Sequence, residues 1–281
     1  DRERMRDLLG FAAVTLHARD AMWRPDVAIN LMGVLVSVAT GVARLAEELQ
    51  LWATDEFGYI DLADEHCRAS VIMPNKKNPY ALSFMRGQAR ELDGALMAVI
   101  ATNQTPSGQI DNRNTAYDAL PRALESAGGC LRLLAEVLAR ATFDTARLRA
   151  AAAHGHTYGT ELGDLLLLRE GVDSRTAHEI VGATISAQVR DGQPFAAALG
   201  AAFAAAAGRP LAVDADELWR EVQPERVVAA RLGLGSCAPD TVRALAAGVE
   251  AEQRRAVFPA RLRQAVAERL GSAWPGGGGR P

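Results

Sequence analysis

The stretch A-S-V-I-M-P-N-K-K-N-P, residues 69–79, brings several reactive side chains close together. One hydroxyl, two ammonium groups and one carboxamide come from Ser70, Lys76, Lys77 and Asn78. Asparagine before Pro79 predicts a helix start, with asparagine as the N-cap and proline at the first helical position. The free N–H groups and positive dipole end of a helix N-terminus attract anions. The stretch therefore predicts a site for a small carboxylate or phosphate, and the absence of a GxxxxGK[ST] loop favours the carboxylate.

Helical patterns continue on both sides of this stretch. Upstream, residues 26–54 predict one long helix without proline, followed by a polar, irregular connection up to residue 78. Downstream, we expect helices over 79–101 and 120–140, separated by a polar loop over 102–117. Shorter helices are expected after residue 142: one capped by Asp173 and ended by Gly192, then 196–207, 214–221 and 239–270.

Composition favours an all-α chain and excludes several function classes. Aromatic residues make up 5%, and alanine and leucine dominate the apolar set, which favours helices over strands. The net charge of −3 gives no reason to expect nucleic-acid binding. Three cysteines without a CxxC pair argue against a disulfide framework or zinc ribbon and indicate a reducing cytoplasm. The histidines form no metal-binding motif, so we expect no metal and no cofactor.

One uncharged segment, residues 27–43, could be mistaken for a membrane span. It contains Asn30, Ser37 and Thr40 with two glycines, and it is shorter than the ~20 residues that a span needs. A segment that is apolar on all sides is better explained as a buried helix at the centre of a bundle. We therefore expect no membrane association.

The run at residues 69–79 resembles the GSSxMPxKxNP signature of the fumarase/aspartase superfamily. Its MPxKKNP form is most similar to that of the argininosuccinate lyase family. Further similarity to the family's central helix and C-terminal domain covers residues 45–49, 86–87, 160–162, 177–178 and 229–242. The resemblance implies a long-helix bundle followed by a small C-terminal helical domain, and the change to shorter helices divides them into residues 1–142 and 143–272. The glycine- and proline-rich composition of residues 273–281 predicts a disordered tail.

The resemblance also implies a reaction. Members of this superfamily cleave a C–N or C–O bond β to a carboxylate and release fumarate. By resemblance, Ser70 is the base that removes a proton, Lys76 stabilises the doubled negative charge that results, and Asn78 holds the substrate. Lys77 is a further candidate for substrate binding.

Several positions depart from the family pattern. Ala69 and Val71 replace the glycine and the second serine beside the base. Gln109, Asn114 and Tyr117 stand where argininosuccinate lyases carry a tyrosine, a glutamine and a lysine that hold the substrate. The half of the site that binds fumarate thus looks kept, and the half that binds the amine looks changed. This difference predicts an N-substituted aspartate other than argininosuccinate as the substrate.

The family's N-terminal site motifs, a serine-arginine-asparagine-aspartate loop and a threonine-histidine pair, do not occur in these 281 residues. No histidine of the chain can therefore be assigned as the general acid. The resemblance implies a homotetramer whose sites combine three subunits, or a complex with a chain that supplies the N-terminal domain. We expect this chain to be inactive alone. The alternative is a non-catalytic helical subunit that uses the same bundle only for assembly.

Overall fold

The computed structural model describes residues 1–73, 76–104 and 111–255. The expected all-α fold is confirmed, with few and very short strands in this part of the chain. The helices are α1 (Arg2–Leu9), α2 (Ala18–Trp23), α3 (Asp26–Trp52), α4 (Tyr80–Thr102), α5 (Asp111–Arg140), α6 (Thr145–Ala153), α7 (Gly159–Glu170), α8 (Ser174–Asp191), α9 (Phe195–Ala207), α10 (Ala215–Glu221), α11 (Pro224–Ala230) and α12 (Pro239–Arg255). The strands are β1 (Ile60–Asp61), β2 (Arg68–Ala69), β3 (Lys77–Asn78) and β4 (Thr142–Phe143).

The chain divides into two compact units. The bundle unit contains residues 2 and 11–147, and the C-terminal unit contains residues 1, 3–10 and, among the described residues, 148–255. The domain boundary expected near residue 142 stays a prediction, and the tail expected over 273–281 lies outside the described residues.

Three long helices form the core of the bundle unit. α3, α4 and α5 pack against one another. At one end Leu49, Met85 and Val137 are buried together. At the other end Met32, Val99 and Ala116 share a second apolar cluster. Late residues of α3 and α5 thus meet early residues of α4, so α4 runs antiparallel to its two neighbours.

The long apolar helix α3 buries only one of its faces within the chain. Apolar residues on the opposite side of the helix stay exposed at successive spacings of four, three, four and seven. They are Val27, Leu31, Val34, Val38 and Leu45. By length and composition alone α3 could cross a membrane. Its packing against α4 and α5 instead matches a bundle helix, and the exposed heptad-like stripe is typical of a seam for a further helix.

Two predicted helix boundaries were wrong. α4 begins at Tyr80 with Pro79 at the N-cap position, because Asn78 pairs in strand β3 rather than capping the helix. α5 begins at Asp111, so much of the predicted loop over 102–117 is helical. The buried Ala116 and Ala123 show that packing outweighs the weak helix propensity of the asparagines nearby.

The C-terminal unit is a group of shorter helices around one apolar core. Leu166, Ile180 and Phe203 are fully buried in it. Asp173 caps α8 by accepting from the backbone N–H groups of Arg175 and Thr176, and Gly192 ends it in the left-handed conformation, as predicted. The helix predicted over 239–270 is described as far as Arg255.

Candidate active site

The signature stretch forms a short β-hairpin at the end of the bundle where α3 ends and α4 begins. Strand β2 pairs with β3 in antiparallel register, with Arg68 opposite Asn78 and Ala69 opposite Lys77. The pairing extends one step further, because the Ser70 N–H donates to the Lys76 carbonyl at 3.3 Å. The backbone therefore brings the predicted base directly opposite the predicted lysine.

Alternation along the strands assigns the side chains of the hairpin to two faces. Successive residues of a strand point to opposite sides, and residues directly opposite each other point to the same side. Ser70, Lys76 and Asn78 therefore share one face together with Arg68. We call this the Ser70 face. Lys77 and Ala69 occupy the other face.

The hydroxyl of Ser70 is surrounded by backbone donors. Its Oγ accepts from the N–H of Met73 at 3.0 Å and from the N–H of Ile72 at 3.3 Å. Two N–H dipoles aimed at one oxygen stabilise negative charge on it. The loop thus provides what a serine needs to act as a base: donors placed where an alkoxide would form.

Lys77 is anchored by two carboxylates. Its Nζ lies 3.0 Å from Asp61 Oδ1 and 2.9 Å from Asp64 Oδ1. The hydrogen bond with Asp64, followed by that with Asp61, raises the pKa of Lys77 above its ordinary value. The Lys77 ammonium is therefore paired with carboxylates of its own chain. Its position on the strand, opposite Ala69, puts it on the face away from Ser70.

Lys76 differs from its neighbour. Its side chain is exposed, and no carboxylate of the described residues pairs with it. Asn78 donates from Nδ2 to the Arg68 carbonyl at 3.2 Å, which steadies the second strand. Both residues border a cavity of about 620 Å³ between the hairpin and the end of α3, and Lys77 and Asp61 border the same cavity together with Gln50. Ser70 is not part of that wall.

The tip of the hairpin lies open to solvent. Val71 is 101% exposed and Ile72 is 90% exposed. The neighbouring Cys67 is partly buried, and this burial raises the pKa of its thiol. His66 is buried below the hairpin, and its Nδ1 has no partner among the described atoms.

The predicted amine-side residues do not lie near the hairpin within one chain. Asn114 and Tyr117 are exposed on the first turns of α5, at the far end of the bundle, and Gln109 lies outside the described residues. Tyr117 borders a cavity of about 250 Å³ with Arg24 and Asn103. α4, with 23 residues, separates the two ends by about 34 Å at ~1.5 Å per residue.

Sequence analysis missed the roles of Asp61, Asp64 and Arg68. The motif assigns no role to the two aspartates, but both pair with Lys77. The signal that could have revealed them is the pair of adjacent lysines, since only one ammonium is needed on the substrate side. No group of three or more His, Cys, Asp or Glu side chains within the described ranges could hold a metal ion.

Known proteins are similar to this chain in sequence and in fold. A family described as "Lyase" matches residues 1–94. Argininosuccinate lyase of Methanoculleus marisnigri is 36% identical over 248 residues, which cover 87% of this chain and 50% of that protein. The corresponding enzyme of Nitrosococcus oceani is 32% identical over 245 residues. The chain belongs to the fumarase/aspartase superfamily of lyases.

Solved structures from this superfamily agree with the assignment. EDDS lyase in complex with formate superposes with a TM-score of 0.81 at 28% identity and covers 97% of this chain and 55% of that one. A variant of EDDS lyase with bound fumarate gives the same TM-score at 27% identity. The chain spans about half the length of the curated relatives that it matches.

Proposed function

We propose that this chain provides part of the active site of a carbon–nitrogen lyase that eliminates an amine from an N-substituted aspartate and releases fumarate. The observation that carries the proposal is the register of the hairpin, which places Ser70, Lys76 and Asn78 on one face. The enzyme needs no cofactor for this reaction, and we expect it to work in the cytoplasm.

Ser70 begins the elimination. Its alkoxide, stabilised by the N–H groups of Ile72 and Met73, removes a proton from the carbon next to the β-carboxylate. The electron pair of that C–H bond moves onto the carboxylate, which becomes doubly negative. The pair then returns to form the C=C bond of fumarate while the C–N bond breaks, and the amine leaves with a proton from a group outside the assigned residues.

Lys76 and Asn78 act on the charge that develops. The free ammonium of Lys76 stands directly across the ladder from Ser70, so it can neutralise the doubly negative carboxylate. Preorganised donors have their largest effect where charge appears in the transition state. Lys77, held by Asp61 and Asp64, fixes the hairpin and leaves substrate binding to its neighbour.

A complete site requires more than one copy of the chain. Because Tyr117 and Asn114 lie at the end of the bundle opposite the hairpin, they can approach Ser70 only from another subunit. The exposed stripe on α3 and a second one on α5, formed by Leu124, Leu131 and Leu138, supply surfaces for helices of those subunits. We therefore propose a homotetramer, or a complex with a chain that supplies further site segments.

The substrate follows from the changed amine side. By resemblance to the family, Gln109, Asn114 and Tyr117 stand in place of the residues that hold argininosuccinate, so we propose an N-substituted aspartate other than argininosuccinate. A non-catalytic assembly subunit is the second candidate, and the exposed apolar stripes with the Val71 replacement favour it.

Fumarate release from the full-length protein tests these proposals. The ultraviolet absorbance of fumarate is followed with argininosuccinate and with a panel of N-substituted aspartates, for the wild type and for Ser70→Ala. We expect the wild type to release fumarate from panel members and Ser70→Ala to release it about 10²- to 10⁴-fold more slowly. Ordinary turnover of argininosuccinate would refute the changed substrate, and no fumarate from any compound would favour the assembly subunit.

A further inference from the structure

Arg68 is fixed in place by an aromatic ring. Its guanidinium carbon lies 3.2 Å from the centroid of the Tyr80 ring, and Tyr80 in turn packs beside Phe84 with centroids 6.2 Å apart. A guanidinium stacked on an aromatic face keeps its N–H donors free at the edge. The side chain is therefore oriented without using the groups that would bind an anion.

No carboxylate of the described residues pairs with this guanidinium, although the hairpin pairs Lys77 with two of them. Arg68 and Lys76 thus leave two uncompensated positive charges on the Ser70 face, while the opposite face is neutralised by Asp61 and Asp64. Two unpaired cations on one exposed face fit a ligand that carries more than one negative charge.

Arg68 and Lys76 occupy different positions along the hairpin relative to Ser70. Arg68 lies two residues from Ser70 along the strand, which is about 7 Å at ~3.4 Å per residue. Lys76 stands opposite Ser70, so one carboxylate beside Lys76 would leave a second carboxylate of the same substrate within the region of Arg68.

We infer that Arg68 is a specificity-determining residue that binds a second carboxylate of the substrate, and that Tyr80 is the positioning residue that holds it. This inference rests on the proposed elimination reaction. The second carboxylate comes from one of two sources, the α-carboxylate of the aspartyl part or a carboxylate on the amine, and planar bidentate pairing with a guanidinium is the same chemistry for both.

The addition direction separates the two sources. Fumarate is combined with β-alanine or with β-alaninamide, which differ only in the charge of the far group. The amine nitrogen forms a bond to one alkene carbon while the other carbon takes a proton. kcat and KM are each measured for the wild type, for Arg68→Gln and for Arg90→Gln, which replaces an exposed arginine on α4 that pairs with Asp93.

Each outcome is decisive. If Arg68 binds the carboxylate of the amine, the wild type prefers β-alanine by about tenfold or more, and Arg68→Gln loses that preference. If it binds the α-carboxylate, Arg68→Gln raises the KM for fumarate about tenfold with both amines. Arg68→Gln behaving like Arg90→Gln with both amines overturns the inference while leaving the proposed function intact, whereas a wild type that releases fumarate from no member of the N-substituted aspartate panel overturns the proposed function itself.

Tyr80 supplies a second test. Tyr80→Phe keeps the ring under the guanidinium, and Tyr80→Leu removes it. We expect Tyr80→Leu to shift KM in the same direction as Arg68→Gln with kcat nearly unchanged, and Tyr80→Phe to match the wild type. Equal behaviour of Tyr80→Leu and Tyr80→Phe would remove the positioning role.

Discussion

The Lys77 ammonium in the bundle unit and the Glu170 carboxylate in the C-terminal unit are each held by several partners, but in opposite surroundings. The Glu170 side chain is 1% exposed. It accepts from the Arg209 guanidinium and from the backbone N–H groups of Ala212 and Val213, so both of its oxygens are satisfied. Lys77 meets Asp64, whose side chain is 97% exposed.

The difference shows how to separate structural charges from functional ones. Glu170 joins the end of α7 to the connection between α9 and α10, and its buried oxygens are occupied by these protein donors. The hairpin compensates Lys77 on one face, and on the other face no carboxylate within the described ranges pairs with Lys76. Substitution of Glu170 should therefore lower the free energy of unfolding, whereas substitution of residues on the Ser70 face should lower the rate of fumarate release.

The largest expected effect concerns Ser70. Ser70→Ala removes the proposed base, and general-base catalysis contributes about 10²- to 10⁴-fold. We expect fumarate release to fall by that factor with an unchanged melting temperature, because the hydroxyl sits in an exposed turn. Calorimetry measures the melting temperature, and the activity assay measures fumarate release. A lower melting temperature for Ser70→Ala would indicate that Ser70, like Glu170, has a structural role.

Glu170→Gln comes next. The substitution replaces one buried acceptor oxygen by an NH2 group and removes the charge opposite Arg209, whose side chain is 44% exposed. The lost hydrogen bonds cost about 2 kcal/mol. Glu179→Gln is the matched control, because its pair with Arg175 is exposed and contributes about 0.5 kcal/mol or less. Denaturant titration of the two variants measures the difference, and equal losses would contradict the contrast between buried and exposed pairs.

The stabilisation by Glu170 should depend on pH. Burial alone would raise the pKa of Glu170, but the hydrogen bonds from Arg209, Val213 and Ala212 lower it below its ordinary value of 4.5. A lowered pKa in the folded state stabilises the protein above 4.5, and this stabilisation disappears as the pH falls through the folded pKa. The gap in melting temperature between wild type and Glu170→Gln should therefore be constant near neutrality and shrink in acid; a gap that persists there would exclude the carboxylate as its source.

The smallest effect is expected at the anchor of the hairpin. Asp61→Asn combined with Asp64→Asn removes two exposed partners of Lys77, each pair contributing about 0.2–1 kcal/mol. Hydrogen exchange at the Ser70 amide should accelerate a few-fold, because that N–H depends on the closed ladder. Unchanged exchange would show that the ladder does not need Lys77.

The sequence predicted the parts of the fold that have strong local signals. α3 was predicted because its long apolar run contains no proline. α8 was predicted because Asp173 and Gly192 mark its two ends. The hairpin was not, since its strands have two residues each and lack β-branched side chains. Its register, and with it the grouping of Ser70 with Arg68, depends on pairing across ten residues that local pattern cannot reveal.

The candidate site was predicted only in part for a related reason. The motif identified Ser70, Lys76 and Asn78 as residue types, but not which of two adjacent lysines is free. The separation of Tyr117 from the hairpin follows from the antiparallel course of α4, which only the packed bundle shows.

The adjacent lysines give the most direct test of the claim that the Ser70 face performs the chemistry. Lys76→Met and Lys77→Met remove the same charge one residue apart, and fumarate release and melting temperature are measured for both. We expect Lys76→Met to reduce turnover about 10²- to 10³-fold at unchanged stability, and Lys77→Met to keep most of the turnover with a faster-exchanging hairpin. Equal losses of turnover, or the larger loss at Lys77, would contradict the assignment of the two faces.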